Sequence, residues 1–405
     1  MSVARLVLVS YFYPPNYWSG GAARPYWFSR LLPEHGWETW VFAGPGQTVD
    51  PSVAAAKQES QNTVIRAGGL ELRSSAPPGV STPLKSIARL MVWPDGKRPW
   101  LRNAKQLKEL VGRVKPDLML ACAPPFTDLL MVEKVSKATG VDYAIDLWDP
   151  WSDDLYDMYP TPVHRWITRR AEKRIFTRAK ALFVINQAMQ EELSARYPGL
   201  YVINIPFGFD PRRVQATALP RAKRFRLVYA GSFFGKHKQA KPLFTELRSI
   251  DRSLPVEFVF VGRKTQQVKQ EIAKLSGLFP VAQSDQLSHQ QAVEACQKAH
   301  GLLILITRGP AYHLVSTGKV YEAVGFGRAL LGVVPSGTRI WEFLDQHRAY
   351  LADPDQRGQV KSAVERMVRD WQTSRLRVPD RQKALRFTWE NIVAGLAEQL
   401  GHILG

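Results

Sequence analysis

The residues at 316–334, STGKVYEAVGFGRALLGVV, place one carboxylate, Glu322, inside an apolar helix-like run. Ser316, Thr317, Gly318 and Lys319 open that run. A helix start offers free N–H groups and a partial positive charge, so with Lys319 it suits an anion. It is not a P-loop, which requires G-x-x-x-x-G-K-[ST]: Val320 follows Lys319, and no glycine stands five residues before Gly318.

Three further clusters carry chemistry. In YFYPPNYWSGGAARPYW (11–27), a strand leads to Gly20 and Gly21 and then to a helix. Adjacent glycines let backbone approach a phosphate closely, or merely make a tight turn. In DYAIDLWDPWSDD (142–154), Asp146 and Asp149 stand beside Trp148 and Trp151. Carboxylates that accept hydroxyl hydrogen bonds, next to indole faces that cover a ring, are sugar-recognition chemistry. Asp153 and Asp154 have no companion ligands in the sequence and read as structural rather than metal-binding. In YAGSFFGKHK (229–238), Gly231 precedes Lys236, His237 and Lys238, and Arg263 ends the next strand. Cations there suit a diphosphate without a metal.

Short apolar runs alternating with helical patterns must position these groups. Candidate strands are 5–12, 38–44, 117–123, 142–148, 182–187 and 201–207, with helical patterns at 22–36, 103–115 and 162–180. In the last, Ile167, Ala171, Ile175 and Ala179 recur every four residues as one buried face. The pattern restarts with strands at 226–234, 256–264, 301–307 and 329–335 and helices at 289–300 and 316–326. Continuous apolar strands joined by helices imply parallel sheets covered on both sides. The expected fold class is α/β, with two doubly wound, Rossmann-like domains facing each other across a cleft. The expected boundaries are 1–206 with the terminal helix 387–405, a basic linker at 207–225, and a second domain at 226–386. Ligands of such sheets bind at the C-terminal strand ends.

The 405 residues carry a formal net charge of +19. Residues 66–115 hold 11 Lys/Arg against 3 Asp/Glu, and 211–250 hold 10 against 1. Such surfaces favour anionic lipid, nucleic acid or phosphorylated small molecules. No zinc-ligand spacing, aromatic RNA-binding strand or helix-turn-helix signature accompanies the charge, so a nucleic-acid partner is not expected. Trp93 and Trp100 among the cations of 66–115 suggest that this segment rests on anionic headgroups. No stretch approaches 18 apolar residues, and the first residues lack a signal-peptide pattern. Cys122 and Cys296, 174 positions apart in apolar surroundings, read as buried reduced thiols. A cytoplasmic protein is expected, with possible peripheral contact on the inner face of the plasma membrane.

The order of these features resembles the retaining GT-B glycosyltransferases related to glycosyltransferase family 4, over nearly the whole chain. The resemblance rests on YFYPP…GGAAR followed by LLPEHGWETWV, on ACAPPF and IDLWDPW, and on IPFGFD, YAGSFFG, GKVYEAVGFGRALL and FTWENIVAGLAEQL. It implies transfer of a sugar from a nucleotide-diphosphate sugar to a hydroxyl of a saccharide or lipid-linked saccharide. It further implies retention of configuration, no metal or other cofactor, and a place in surface polysaccharide or glycoconjugate assembly. By the resemblance, Gly20 and Gly21 approach donor phosphates or the acceptor, and Lys236 or Lys238 with Arg263 neutralises the diphosphate. Glu322 matches the second glutamate of the E-x(7)-E motif, which binds ribose hydroxyls. A loop at 281–285, beginning at Val281, receives the base. Asp146 or Asp149 is expected to orient the acceptor hydroxyl.

The sequence departs from the family at three places. Leu314 stands where the first motif glutamate falls, Phe207 replaces the asparagine of I-P-N-G-F-D, and Trp148 occupies a position often held within D-x-R-D. These departures keep open a GT-B relative that is not a transferase, either a nucleotide-sugar epimerase or a pseudo-enzyme.

Overall fold

Residues 6–9 and 118–123 are fully shielded from solvent, as strands covered on both faces must be. In the computed structural model they form the centre of a parallel sheet. The structure describes residues 3–15, 20–46, 63–69, 92–155, 158–159, 161–233, 240–285 and 289–405. It divides into two units, Met1–Phe207 with Trp389–Gly405, and Gly208–Thr388.

The first unit runs β1 (Ala4–Ser10), α1 (Ala23–Leu31), β2 (Trp37–Ala43), β3 (Thr63–Arg66), α2 (Ala104–Val114), β4 (Leu118–Ala123) and α3 (Thr127–Thr139). It continues with β5 (Tyr143–Leu147), α4 (Pro162–Phe176), β6 (Leu182–Val184), α5 (Gln187–Arg196) and β7 (Val202–Asn204). The sheet order is β3-β2-β1-β4-β5-β6-β7, every pair parallel. Strand order reverses between β1 and β4, where doubly wound sheets open a crevice.

The second unit contains β8 (Phe225–Ala230), α6 (Ala240–Leu247), β9 (Val256–Val261), α7 (Gln266–Ser276), β10 (Val281–Ser284), α8 (His289–Gln297) and β11 (Gly301–Leu305). After these come α9 (Gly318–Gly325), β12 (Ala329–Val333), α10 (Arg339–Gln346), β13 (Tyr350–Ala352), α11 (Gln359–Gln372) and α12 (Arg381–Leu385). Its parallel sheet is ordered β10-β9-β8-β11-β12-β13, with its own reversal between β8 and β11. The last helix, α13 (Trp389–Leu404), joins the first unit, where Trp389 stacks on Trp27 with ring centroids 6.1 Å apart.

Several elements differ from the sequence expectation. Residues 281–284 are a strand, not a loop: β10 pairs with β9 from Val281 to Ser284 as an edge strand, half exposed and so lacking an apolar run. The helix at 162–180 stops at Phe176, and its buried face is His164, Thr168, Ala171, Glu172, Ile175 and Phe176. A strict four-residue repeat drifts about 40° per step around a 3.6-residue helix, so Ile167 is only half-buried and Ala179 lies beyond the helix. The 207–225 segment is packed onto the second unit. Phe209 and Val214 are buried, and the fully buried Arg328 donates to the Thr217 carbonyl at 2.8 Å and the Gln297 carbonyl at 2.6 Å.

Trp93 and Trp100 are not surface aromatics. Trp100 is fully buried between Tyr11 and Phe42, and Trp93 is half-buried and donates its indole N–H to Thr168 Oγ1 at 3.0 Å.

Candidate functional site

In the second unit, β8 and β9 end on glycine because two strand ends meet there. Gly262 has φ +123°, a conformation strained for any side chain, and a Cβ on it would lie 2.3 Å from the Gly231 carbonyl oxygen. The turn is closed by Gly231 N–H donating to the Val261 carbonyl at 2.8 Å and Gly262 N–H to the Ser284 carbonyl at 3.1 Å. Gly231, Gly262 and Arg263 therefore share the C-terminal edge of this sheet.

α9 brings its start to the same edge. Lys319 Nζ donates to the Ala230 carbonyl, at the end of β8, at 2.7 Å. Thr317 occupies the N-cap position with extended backbone, and its side chain makes no bond to the helix. Thr265 and Thr338, at the starts of α7 and α10, do bond their helices through their hydroxyls. The α9 start thus leaves N–H groups without a side-chain cap beside a lysine. Ser316, Thr317 and Gly318 are half-buried there. Glu322, half-buried one turn on, lines a cavity of about 100 Å³ with Lys319, Cys296, Val228 and Ala230. Burial, reinforced by the Glu322 charge, pushes the Cys296 thiol up to about 12, so it stays neutral. Both cysteines are buried and free.

Among the described residues, the cation that the fold ties down most firmly at this edge is Lys264, which sequence reasoning did not single out. Its side chain is 1% exposed, and Nζ donates to the Gly262 carbonyl at 2.8 Å and to the Ser284 carbonyl. Desolvation lowers its pKa, against the pull of Asp285. Arg263, its neighbour, is half-buried. Lys236 and Lys238 lie outside the described residues. Leu314, where the family motif has a glutamate, is 2% exposed at the end of a short 3-10 turn, Tyr312–Leu314.

In the first unit, Gly20 and Gly21 form a 3-10 turn, Gly20–Ala22, that runs into α1. A Cβ on Gly21 would fall 2.3 Å from the Trp148 indole, so this glycine accommodates a packed ring at the end of β5. Asp146 is fully buried and bound by Arg24, with Nη2 to Oδ1 at 2.5 Å and Nε to Oδ2 at 2.9 Å. Burial raises its pKa and Arg24 opposes the rise. A carboxylate with both oxygens on a buried guanidinium does not present itself to a ligand. Asp149, half-buried just beyond β5, is the more accessible of the two.

The loop after β5 is braced from behind. Buried Glu172 of α4 accepts from Ser152 N–H at 2.7 Å, Ser152 Oγ at 2.8 Å and Tyr197 Oη at 2.6 Å. Arg196 binds Asp153 at 2.8 and 3.0 Å, and Asp154 accepts from Tyr159 N–H at 2.8 Å. Asp153 and Asp154 are therefore structural anchors of that loop, and no group of three metal-ligating side chains occurs among the described residues. Asp128, at the start of α3 and the last residue of LACAPPFTD (120–128), is fully buried. Oδ2 accepts from Tyr11 N–H at 2.8 Å, Oδ1 has no hydrogen-bond partner, and burial raises its pKa well above the usual carboxyl range.

No protein-family model and no curated protein matches this sequence. Solved structures do match its fold. Sucrose-phosphate synthase from Thermosynechococcus elongatus superposes with a TM-score of 0.70 at 15% identity, covering 99% of each chain. Anabaena HepE, solved in complex with UDP and glucose, gives 0.69 at 14% identity over 98% of this chain and 100% of that one. The UDP-GlcNAc 2-epimerase from Methanocaldococcus jannaschii gives 0.54 at 10% identity over 98% and 99%. At these identities the likeness establishes the GT-B fold.

Proposed function

We propose that this protein is a nucleotide-sugar-dependent glycosyltransferase whose donor binds at the C-terminal edge of the second unit. The observation that carries the reading is the convergence of Lys319, the uncapped α9 start, Glu322 and the Gly231–Gly262 turn beside the β8–β11 reversal. Helix N–H groups and Lys319 take the diphosphate, with Arg263, Lys236 and Lys238 as further cations. Glu322 accepts from the ribose hydroxyls, and the base lies along 281–285. That HepE was solved with UDP and glucose supports a nucleotide-sugar ligand for this fold.

Charge building on the departing diphosphate is met by preorganised N–H groups and cations, so no metal is required. Asp149 orients the acceptor hydroxyl, while Asp146 holds Arg24. The acceptor is a saccharide or lipid-linked saccharide, transfer is retaining, and the setting is cytoplasmic assembly of surface glycoconjugates. An epimerase is the second reading, favoured by Leu314 at the motif position and by the epimerase among the fold neighbours.

Thermal unfolding with UDP, GDP, dTDP and CMP tests the site. A ligand at a hundred times its dissociation constant adds roughly 2.7 kcal/mol, a shift of several degrees. One nucleotide should give it, and Glu322→Ala should abolish it. No shift with any nucleotide would refute the donor site, and turnover of a nucleotide sugar without acceptor would favour the epimerase.

A further inference from the structure

The most exposed large apolar side chain among the described residues is Trp166, at 62%, on α4. Val163, one turn earlier on the same helix, is 55% exposed. At 100° per residue, Val163, Arg169, Arg170 and Lys173 all fall within about 60° of Trp166 around the helix. Each of the three cations is exposed, and the Arg170 guanidinium lies over the Trp166 ring at 5.7 Å. The only acid of α4, Glu172, is buried on the opposite face with Ser152 and Tyr197. Arg174, at the margin, is the cation of this face that is paired, to Glu133 at 2.8 Å.

We propose that this face of α4 docks the first unit on an anionic lipid bilayer. An indole at the crest of a helix, ringed by cations that form no ion pair among the described residues, matches the interfacial layer of a membrane. The ring enters the headgroup region while arginine and lysine reach lipid phosphates and their stems cover apolar surface. The proposal goes beyond the donor-site reading and rests on the first unit's surface alone. It moves the docking surface from 66–115, whose described tryptophans are packed inward, to 163–173.

The test is flotation of the full-length protein with vesicles of phosphatidylcholine alone and of phosphatidylcholine with phosphatidylglycerol, read as the partition coefficient. Wild type should float with the anionic vesicles and lose binding as salt rises. Each cation contributes on the order of fivefold, so R169E/R170E/K173E should lower partition by at least about a hundredfold, and Trp166→Ala several-fold. K105E/K108E/R113E makes the same charge change on a different helix, α2, and should retain most of the binding. Two results overturn the proposal: no flotation of wild type, including the case where it binds a polyanion such as RNA instead, or equal losses in the α2 and α4 variants. Nucleotide-induced thermal shifts in the same variants, expected unchanged, separate this outcome from failure of the donor site.

Discussion

Arg24 and Asp146, 122 positions apart in the sequence, meet as a bidentate pair that solvent does not reach. The guanidinium also donates to the Pro206 carbonyl at 2.8 Å and lies 5.0 Å from the ring centroids of Phe28 and Phe207. One side chain therefore ties the start of α1, the end of β5 and the last residues before the second unit. Phe207, an apparent departure from the family pattern, is here part of the wall that encloses the cation.

Removing one partner leaves a charge stranded in the core. Arg24→Met and Asp146→Leu should each cost about 3–5 kcal/mol in urea unfolding. The double variant should recover much of that loss, because no orphan charge remains. Additive losses would mean that the pair does not act as a unit.

Gly21 and Trp148 should show the same kind of coupling through volume rather than charge. Gly21→Ala drives a methyl into the indole, a collision costing about 1–3 kcal/mol. In the W148L background the added methyl should cost much less, giving an interaction energy above about 0.5 kcal/mol in a double-mutant cycle. If Gly21 served only ligand approach, Trp148→Leu would leave the cost of Gly21→Ala unchanged.

What could be read from the sequence follows from where each signal originates. The central strands β1, β4, β8 and β11 were legible because burial on both faces writes a continuous apolar run. β3 and β10 were not: TVIR and VAQS sit at sheet edges with half their side chains exposed, so neither run nor alternation survives. The α9 start was legible because a helix N-terminus, a lysine and a glutamate are neighbours in the chain. Lys264 was not separable from Arg263, since only the fold decides which adjacent cation turns inward. The packing of Gly21 under Trp148 and the burial of Glu172 depend on partners from other elements, which composition and spacing do not encode.

His347 gives a pH dependence of defined sign. It is 1% exposed, Nδ1 has no hydrogen-bond partner, and Phe343 and Phe387 flank the ring. Burial, then the charges of Arg386 and Lys383, lower its pKa from 6.5 to about 4. Below 6.5 the unfolded chain takes up a proton that the folded chain refuses. The stability from the neutral imidazole is complete above that value and is lost as pH falls from it toward 4. The loss approaches about 3 kcal/mol at most. Urea unfolding of wild type and His347→Phe across this window should show a smaller acid loss in the variant. Identical pH profiles would remove His347 as the cause.

Lys264 separates a structural cation from a binding one. Its ammonium spans the carbonyls of Gly262 and Ser284, the ends of neighbouring strands at the proposed donor edge. Lys264→Met keeps the stem but strands two acceptors, costing about 1–3 kcal/mol. Hydrogen exchange should quicken at the Gly262 amide, which donates to the Ser284 carbonyl at 3.1 Å. Nucleotide binding should weaken with the loosened turn. Arg263→Ala should instead lower nucleotide affinity with a smaller change in stability, because the strand ends remain bridged. Wild-type exchange rates in K264M would show that the bridge does not hold this edge, and unaltered affinity in R263A would take Arg263 out of the diphosphate site.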